Sequence, residues 1–395
     1  MTRASPVLDV DLFGDASLGD PYDDYRRVRD AGPLVRLRRP DIYAMGRFAD
    51  VQRALRASEI LISGEGVGFS DAFNAPKGMN VIQSDGDVHR RMRSTVARPL
   101  SPAILRDARP ILKAMIGRRV ADLAGTGWFD AMSGLASYLP AEAVSHLVGL
   151  PEGGRERMLE WAAAAFNVIG PEQDPADLLK LKEAFAFMAT LSRENVRPGS
   201  WAGDLFEAAR TGRLSPAEAV AATSAYVIPS LDTTILAMGH LLCNLGANPE
   251  QWVLLRERPE LIPSAVLEGV RHSSVLRWFS RVAAQDYEVE GSVIPKGGRV
   301  MLLYGCANRD ERHYVDPERF EVSRDARDHL AWGTGPHMCA GMHLARIEME
   351  VLLEALVEAR AILAAGEPTM GTNRGLFGFA SLPFRIDVEG HAKRM

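Results

Sequence analysis

The sequence predicts a mainly α-helical protein with a small β region, and three observations lead to that prediction. Residues 103–215 have a mostly helical pattern, with breaks at glycine and proline. Residues 215–218 (Ser-Pro-Ala-Glu) form a capping box with proline at the first helical position, so a helix begins there and continues to about Leu245. The short apolar segments Leu34–Leu37 and Ile42–Met45 have the composition of a strand pair.

Composition and charge narrow the class of protein. The chain has 395 residues, of which 47% are hydrophobic and 25% charged, as in an ordinary globular protein. We find no linker, so we expect one domain over residues 1–395. The 46 basic and 51 acidic residues give a net charge of −5, which offers no overall basic field for nucleic acid. Three cysteines make no disulfide framework, and the N-terminal segment lacks an apolar signal or anchor, so we expect a cytoplasmic protein without a membrane segment.

The helix predicted from the capping box is long enough to cross the whole molecule. About thirty residues at about 1.5 Å each span on the order of 45 Å. Its middle is apolar on most sides, which indicates a buried helix, and Asp232 and His240 argue against a membrane span. The Asp232-Thr233 pair is costly in a buried helix unless it is paired or functional. Pro229 cannot donate an N–H to the Ala225 carbonyl, so we expect a kink there.

The segment with the strongest chemical signal is His329–Ala345. Cys339 follows a turn rich in glycine and proline and precedes a helical pattern over residues 340–359. A thiolate at the start of a helix lies near the positive end of the dipole and near free N–H groups, so we expect a lowered pKa. Such a thiolate could serve as the axial ligand of a haem iron. The alternative is that Cys339 is a buried structural cysteine.

Residues 332–341 (Trp-Gly-Thr-Gly-Pro-His-Met-Cys-Ala-Gly) resemble the cysteine-ligand signature of the cytochrome P450 family. Trp332 stands where the family usually has phenylalanine. The resemblance covers nearly the whole chain and implies the cytochrome P450 fold, with a small β region, a long central helix and a cysteine-ligand loop. It implies that haem b (iron protoporphyrin IX) binds through Cys339 as the metal ligand. It also implies that Asp232 and Thr233 are the catalytic pair that delivers protons during oxygen activation.

The resemblance assigns three further groups of residues. Four basic residues would bind the haem propionates: His89 and Arg93, which share a helix face, with Arg281 and His337; for the first two, a solvated basic face is the alternative. A structural triad would consist of Glu268, Arg271 and Arg319. Apolar residues would line the substrate pocket, although plain core is the default for them; they are Val81, Ile82, Phe166, Ile169, Pro229, Leu276, Phe279 and Phe379.

The function implied is that of a haem-thiolate monooxygenase of the soluble bacterial type, acting as a monomer. It would insert one oxygen atom from O2 into a small organic substrate by hydroxylation or oxidative O-demethylation. Electrons would come from NAD(P)H through a reductase and an acidic iron–sulfur ferredoxin, which would dock on basic residues beside the cysteine loop: Arg90, Arg91, Arg98, His343 and Arg346. The alternatives are a gas-binding or gas-sensing haem protein and a peroxide-driven peroxygenase, and the Asp232-Thr233 pair argues against both.

Residues 64–73 and 166–171 resemble the branch of the family that oxidatively demethylates para-substituted benzoates, so we expect a small, flat aromatic substrate. That branch binds the carboxylate through an arginine and serines after residue 70 and in the long helix. The nearest positions here do not reproduce this anchor; they are Pro76, Lys77, Met79, Ser224 and Ala225. Lys77, Tyr226 or Arg277 could replace it, although Lys77 and Arg277 could simply face solvent.

Overall fold

The computed structural model describes residues 4–75, 77–78, 80–151 and 157–389. Pro76 and Met79, which we considered as positions of a carboxylate anchor, lie outside the described residues. The α-helices are α1 (Asp15–Gly19), α2 (Tyr22–Ala31), α3 (Phe48–Arg56), α4 (Asp71–Asn74), α5 (Gly86–Ala97), α6 (Pro102–Leu123), α7 (Tyr138–Val148), α8 (Met158–Val168), α9 (Pro175–Ala189), α10 (Trp201–Arg210), α11 (Pro216–Ala247), α12 (Pro249–Glu257), α13 (Ile262–His272), α14 (Tyr304–Ala307) and α15 (Met342–Glu358).

The strands are short and lie mostly near the two ends of the chain. They are β1 (Val7–Asp11), β2 (Val35–Arg39), β3 (Ile42–Met45), β4 (Leu61–Ile62), β5 (Trp128–Asp130), β6 (Trp278–Ala283), β7 (Tyr287–Val289), β8 (Ser292–Ile294), β9 (Arg299–Leu303), β10 (Ala361–Ala365), β11 (Thr369–Met370), β12 (Phe379–Ser381) and β13 (Pro383–Val388). The largest described sheet has the order β1-β2-β3-β9-β6-β4, and β10-β13-β5 form a second one. The predicted strand pair is confirmed, because β2 and β3 pair antiparallel.

The long central helix is α11, and the capping box predicted at its start is present. Ser215 Oγ accepts from the Glu218 N–H at 3.2 Å, and the Glu218 carboxylate accepts from the Ser215 N–H at 2.7 Å. The helix continues through Pro229 to Ala247 and packs against α7, α8, α10 and α13. It has the length and apolar composition of a membrane span. However, 61% of its most apolar 18-residue stretch is buried inside the protein, as in a core helix. Its central position makes it one wall of the candidate site.

Candidate active site

Cys339 follows a loop whose backbone is fixed by its own hydrogen bonds. The Cys339 N–H donates to the Trp332 carbonyl at 2.8 Å. Gly335 has φ +76°, and a Cβ atom there would lie 2.9 Å from the Leu55 carbonyl oxygen, so this position requires glycine. The loop is therefore held against the end of α3, and it places Cys339 just before α15, which begins at Met342.

The Cys339 side chain retains accessible surface. Protein nevertheless surrounds it densely enough that burial has the largest effect on its pKa. Burial raises the pKa of the thiol, while the backbone N–H groups of Gly341 and Met342 and the charge of Arg93 lower it. Our expectation of a lowered pKa was wrong for the free thiol, because the loss of hydration outweighs these donors. The donors still surround the sulfur as a metal-bound thiolate requires.

The four basic residues that we assigned to the propionates lie together beside this thiol. The rings of His89 and His337 are 4.1 Å apart. Burial and the charges of His337 and Arg93 lower the pKa of His89 to about 4. Arg281 is close enough to influence the pKa of His337. The structure thus brings together side chains from α5, β6 and the cysteine loop.

Asp85 is the acidic side chain that contacts this cluster among the described residues. Its Oδ1 lies 3.6 Å from His337 Nε2, and its carboxylate accepts from the N–H groups of Ser63 and Gly64 at 3.0 and 2.6 Å. Although burial acts to raise it, the pKa of Asp85 is lowered by the hydrogen bonds from His337, Ser63 and Gly64. Asp85 therefore orients His337. Sequence analysis missed this role, for which the only signal was an acid four residues before His89.

The chemistry of this cluster fits a haem with two propionate groups. His89 Nε2 is buried without a hydrogen-bond partner, and Arg93 has no ion pair with any described carboxylate. Two guanidinium groups and two imidazoles beside one carboxylate leave an excess of positive charge, which an anionic group would balance. His89, Arg93, Arg281, His337 and Cys339 are therefore the residues that could hold the cofactor.

The acid–threonine pair lies one turn after Pro229 in α11. Thr233 Oγ1 donates to the Pro229 carbonyl at 2.7 Å. The Asp232 side chain is half-buried and has no ion-pair or hydrogen-bond partner among the described residues. Burial raises the pKa of Asp232 to about 7. This carboxyl can therefore both hold and release a proton near neutral pH.

A cavity of about 880 Å³ lies against the first half of α11, from Pro216 to Pro229, just before this pair. Its walls come from residues 80–83, from α8, α9, α10 and α11, and from Phe279 of β6. The lining is mainly apolar, and the volume lies in the range usual for small-molecule sites. Phe279 also packs against Tyr304, with ring centroids 6.4 Å apart, and a Cβ atom on Gly333 would lie 4.0 Å from the Tyr304 ring. Tyr304 thus connects the cavity wall to the cysteine loop.

The predicted pocket residues divide into two groups. Those that line the cavity are Val81, Ile82, Phe166, Pro229 and Phe279. Three predicted positions, Ile169, Leu276 and Phe379, lie elsewhere. Ile169 is fully buried beneath residues 68 and 375, Leu276 forms a β-bridge with Leu376, and Phe379 packs on His240 at 4.4 Å. Their apolar side chains therefore contribute to the core.

The buried charge network differs from the predicted triad in its third member. Arg271 Nε and Nη2 donate to the Glu268 carboxylate at 2.6 and 2.9 Å, and both side chains are fully buried. The second cation on Glu268 is Arg324, whose Nε lies 3.1 Å from Oε1. Arg319 is exposed and contributes only its carbonyl, which accepts from Arg271 and Arg324. The assignment of Arg319 was wrong, because its side chain faces away from the buried carboxylate.

None of the three substitutes that we considered for a carboxylate anchor is free to act as one. The Arg277 guanidinium is buried and donates to the carbonyls of Leu12, Ser17 and Leu18. Tyr226 Oη donates to the Val96 carbonyl at 2.9 Å. Lys77 forms an exposed ion pair with Glu65 at 2.8 Å. Both expectations for Arg277 were therefore wrong, since it neither lines the cavity nor faces solvent.

Comparisons with known proteins agree with this geometry. A sequence model of the family described as "Cytochrome P450" matches residues 255–374. The chain is 32% identical over 390 residues to cytochrome P450 CYP199A2 of Rhodopseudomonas palustris, covering 96% of this chain and 94% of that protein. It is 31% identical over 386 residues to a β-dihydromenaquinone-9 ω-hydroxylase of Mycobacterium tuberculosis, covering 95% of this chain and 78% of that protein. The crystal structure of epothilone D-bound cytochrome P450epoK superposes with a TM-score of 0.87 at 26% identity, covering 96% and 99% of the two chains.

Proposed function

This chain belongs to the cytochrome P450 family of haem-binding monooxygenases, and from that premise we propose that it oxidises a small aromatic substrate with O2. The reaction would be hydroxylation or oxidative O-demethylation. The observation that carries the proposal is the mainly apolar cavity with Pro229 in its lining, because the Pro229 carbonyl accepts the hydrogen bond of Thr233 in the Asp232-Thr233 pair. A proton-holding group beside an apolar chamber suits oxidation of an apolar molecule.

We propose that Cys339 is the thiolate ligand of haem b and that the four basic residues hold its propionates. When bound, the haem supplies oxygen activation, in which two electrons and two protons accompany transfer of one oxygen atom to substrate and release of the other as water. The protein would hold the cofactor in place and supply the positive charge that balances its propionates. Arg93 and Arg281 would donate to the propionate oxygens, and the Asp85 carboxylate would keep His337 oriented toward the same group.

Replacing Arg93 with alanine should weaken haem retention. A charge-assisted hydrogen bond contributes about 1.5–3 kcal/mol, so we expect roughly a tenfold to hundredfold faster loss of haem to an acceptor protein. Arg90→Ala is the matched control, because Arg90 lies on the same helix, is highly exposed and pairs with Asp87. Equal retention by both variants and the wild type would remove Arg93 from the cofactor site.

We propose that Asp232 and Thr233 move the protons that the reaction consumes. The Asp232 carboxyl, with its pKa raised to about 7 by burial, is partly protonated at neutral pH. The Thr233 hydroxyl can accept from a donor on the cavity side while it donates to the Pro229 carbonyl. Together they would connect the interior of α11 with the cavity wall.

Replacing Thr233 with alanine should leave haem binding intact and lower the fraction of NADH that yields product. Electrons would then be lost to peroxide, because the Thr233 hydroxyl would no longer direct the protons that the oxygenation reaction consumes. The measurement is product and peroxide formed from 4-methoxytoluene per NADH consumed, with ferredoxin and reductase supplied. Wild-type protein that makes product only when given peroxide would contradict the proposed use of O2.

Thr223→Ala provides the matched control for this experiment. The Thr223 hydroxyl makes the same type of bond, to the Ala219 carbonyl at 2.8 Å, but the residue lies ten positions before Thr233 in α11, well away from Asp232. Asp232→Asn should also lower coupling, and it should remove a loss of product formation as pH rises through about 7, where the wild-type carboxyl loses its proton. Unchanged coupling in Thr233→Ala and Asp232→Asn would exclude the pair from proton transfer.

The proposed electron donor is an iron–sulfur ferredoxin with its reductase, acting on a single-domain, monomeric protein in the cytoplasm. Fewer of the basic side chains expected to dock the ferredoxin are free than the sequence suggested. Arg91 forms an ion pair with Glu218 at 2.6 Å, and Arg346 pairs with Glu350 at 3.5 Å. Arg98 is exposed and has no ion-pair partner among the described residues, which leaves it available to an acidic protein.

A further inference from the structure

The cavity follows one face of α11 along the first half of the helix. The lining residues of this helix come in pairs at positions 216–217, 220–221, 224–225 and 228–229. Pairs that recur every four residues lie on one face of a helix. All of them retain accessible surface, whereas the residues on the other faces are buried, as at Ala219, Thr223 and Val227. The rise from Pro216 to Pro229 is about 20 Å, so the cavity is elongated.

The inner end of this face is at Pro229. Ile228, beside it, packs against an apolar cluster of α8 and α9 that includes Ala165. The next pair on the same face is Asp232 and Thr233, which also retain accessible surface. Thr233 donates to the Pro229 carbonyl at 2.7 Å. The inner end of the cavity therefore adjoins the pair that we propose to move protons.

The opposite end is a mouth at the protein surface, where α11 begins. Pro216 and Ala217 are exposed there, and a short loop joins them to Arg210, the last residue of α10. Glu207 pairs with Arg193 at 3.4 Å and with Arg210 at 2.5 Å, and both arginines line the cavity. The side chains of Arg193 and Arg210 are 63% and 56% exposed, so the charged groups of the mouth stay hydrated.

The interior of the cavity suits an apolar chain. Among the described lining residues, the charged ones are Arg193, Glu194 and Arg210, all of which belong to the mouth. Farther in, the Ser224 hydroxyl donates to the Ala221 carbonyl at 2.6 Å. A charged group in this interior would be buried without a partner, which is costly. The volume of about 880 Å³ is near the upper end of the range for small-molecule sites, so a single small ring fills only part of it.

We propose, on the premise of the monooxygenase function above, that the substrate is elongated and consists of an aromatic ring with an apolar tail. The ring occupies the inner end beside Pro229, and the tail follows α11 outward to the mouth. A polar group at the far end of the tail remains in water beside Arg193 and Arg210, whereas a charged group on the ring itself is excluded.

A series of 4-alkylanisoles with methyl, butyl and octyl tails tests this proposal, because the methoxy ring is constant and only the tail changes. Their dissociation constants are measured on the ferric haem-loaded protein by the optical spin-state titration and, independently, by calorimetry. Each CH2 group that becomes buried should increase the affinity by about threefold to fourfold. The octyl compound should therefore bind most tightly. An affinity that does not increase from the methyl to the octyl compound would overturn the proposal.

Two substitutions on the cavity face of α11 should shorten the site by different amounts. Ala221→Phe places a ring about 12 Å from Pro229 along the helix. It should leave the affinity for the methyl compound unchanged and remove most of the gain from the longer tails. Ala217→Phe places the same ring about 18 Å from Pro229, at the exposed mouth. It should keep the gain from the butyl tail and reduce only that from the octyl tail.

Ala121→Phe is the matched control for these variants. Ala121 is exposed on α6, a helix that contributes no residue to the described lining. The control should therefore reproduce the wild-type series. A gain from the octyl tail that is as large in both Ala221→Phe and Ala217→Phe as in the wild type would overturn the path along α11.

The position of a carboxylate tests the orientation of the substrate. In 8-(4-methoxyphenyl)octanoate the charge lies at the far end of the tail, where it can reach the mouth, whereas in 4-methoxybenzoate it lies on the ring. The octanoate should bind at least about tenfold more tightly than the benzoate, since it also buries its tail. A benzoate that binds as tightly as the octanoate would contradict the proposed orientation.

The carbon monoxide spectrum of the reduced protein separates this proposal from the proposed function. A wild-type protein without the red-shifted band of a thiolate adduct would refute the haem-thiolate function itself. A protein that shows the band and binds the methyl and octyl compounds equally well would refute only the elongated substrate.

Discussion

Cys339→Ser should abolish the red-shifted Soret band of the reduced carbon monoxide complex and all oxygenase activity. A thiolate donates electron density that favours O–O cleavage, whereas a serine oxygen is not a sulfur donor and cannot give the thiolate adduct. The loop around residue 339 should survive, because its hydrogen bonds run through the backbone, from the Cys339 N–H to the Trp332 carbonyl. The measurement is the difference spectrum together with product formation.

Cys243→Ser is the matched control for this variant. Cys243 lies in α11, and burial raises the pKa of its thiol to about 11, so it is a poor thiolate. The control should keep both the band and the activity. A band that persists in Cys339→Ser, or disappears in Cys243→Ser, would assign the ligand elsewhere.

Arg271→Met should destabilise the protein by about 3–5 kcal/mol, the cost typical of removing one partner from a buried ion pair. Glu268 and Arg271 are both fully buried, so the remaining carboxylate would lose its bidentate partner. Arg271 also donates to the carbonyls of Asn308 and Pro317. Asn308 in turn accepts from the Leu330 N–H at 2.7 Å, just before the cysteine loop. The variant should therefore lose haem as well as stability, measured by denaturant unfolding of the holoprotein.

Two further arginine variants test the corrected network. Arg319→Met should change the free energy of unfolding by no more than about 0.5 kcal/mol, because that side chain is exposed. Arg324→Met should give an intermediate loss, since it leaves Glu268 paired with Arg271 but removes the 3.1 Å contact. A large loss in Arg319→Met with none in Arg324→Met would restore the original assignment.

Local signals in the sequence were sufficient for several elements. The capping box predicted where α11 begins, because its two hydrogen bonds join residues only three apart. The pairing of β2 and β3 followed from two apolar segments separated by a short turn. The family resemblance rested on the residues around Cys339, where glycine is needed at position 335 for both its backbone angle and the close approach of α3.

Other features depended on which distant segments meet. Arg319 and Arg324 are five residues apart on an irregular segment, and no local pattern decides which guanidinium faces Glu268. Arg277 looked like a ligand or a surface residue, but carbonyls some 260 positions earlier in the chain surround it. In the same way, Ile169 packs beneath two distant segments while Val81 reaches the cavity wall.

The sequence by itself therefore determined the helical framework and the cysteine loop, and through the family resemblance of that loop it indicated the residues that could bind a haem. Those features depend on hydrogen bonds and periodicity within a few residues of the chain. Only the tertiary structure decided the direction of the Cys339 pKa, the third member of the Glu268 network and the mainly apolar lining of the cavity. These properties are set by how much water each group loses and which partner replaces it, and both depend on packing between segments far apart in sequence.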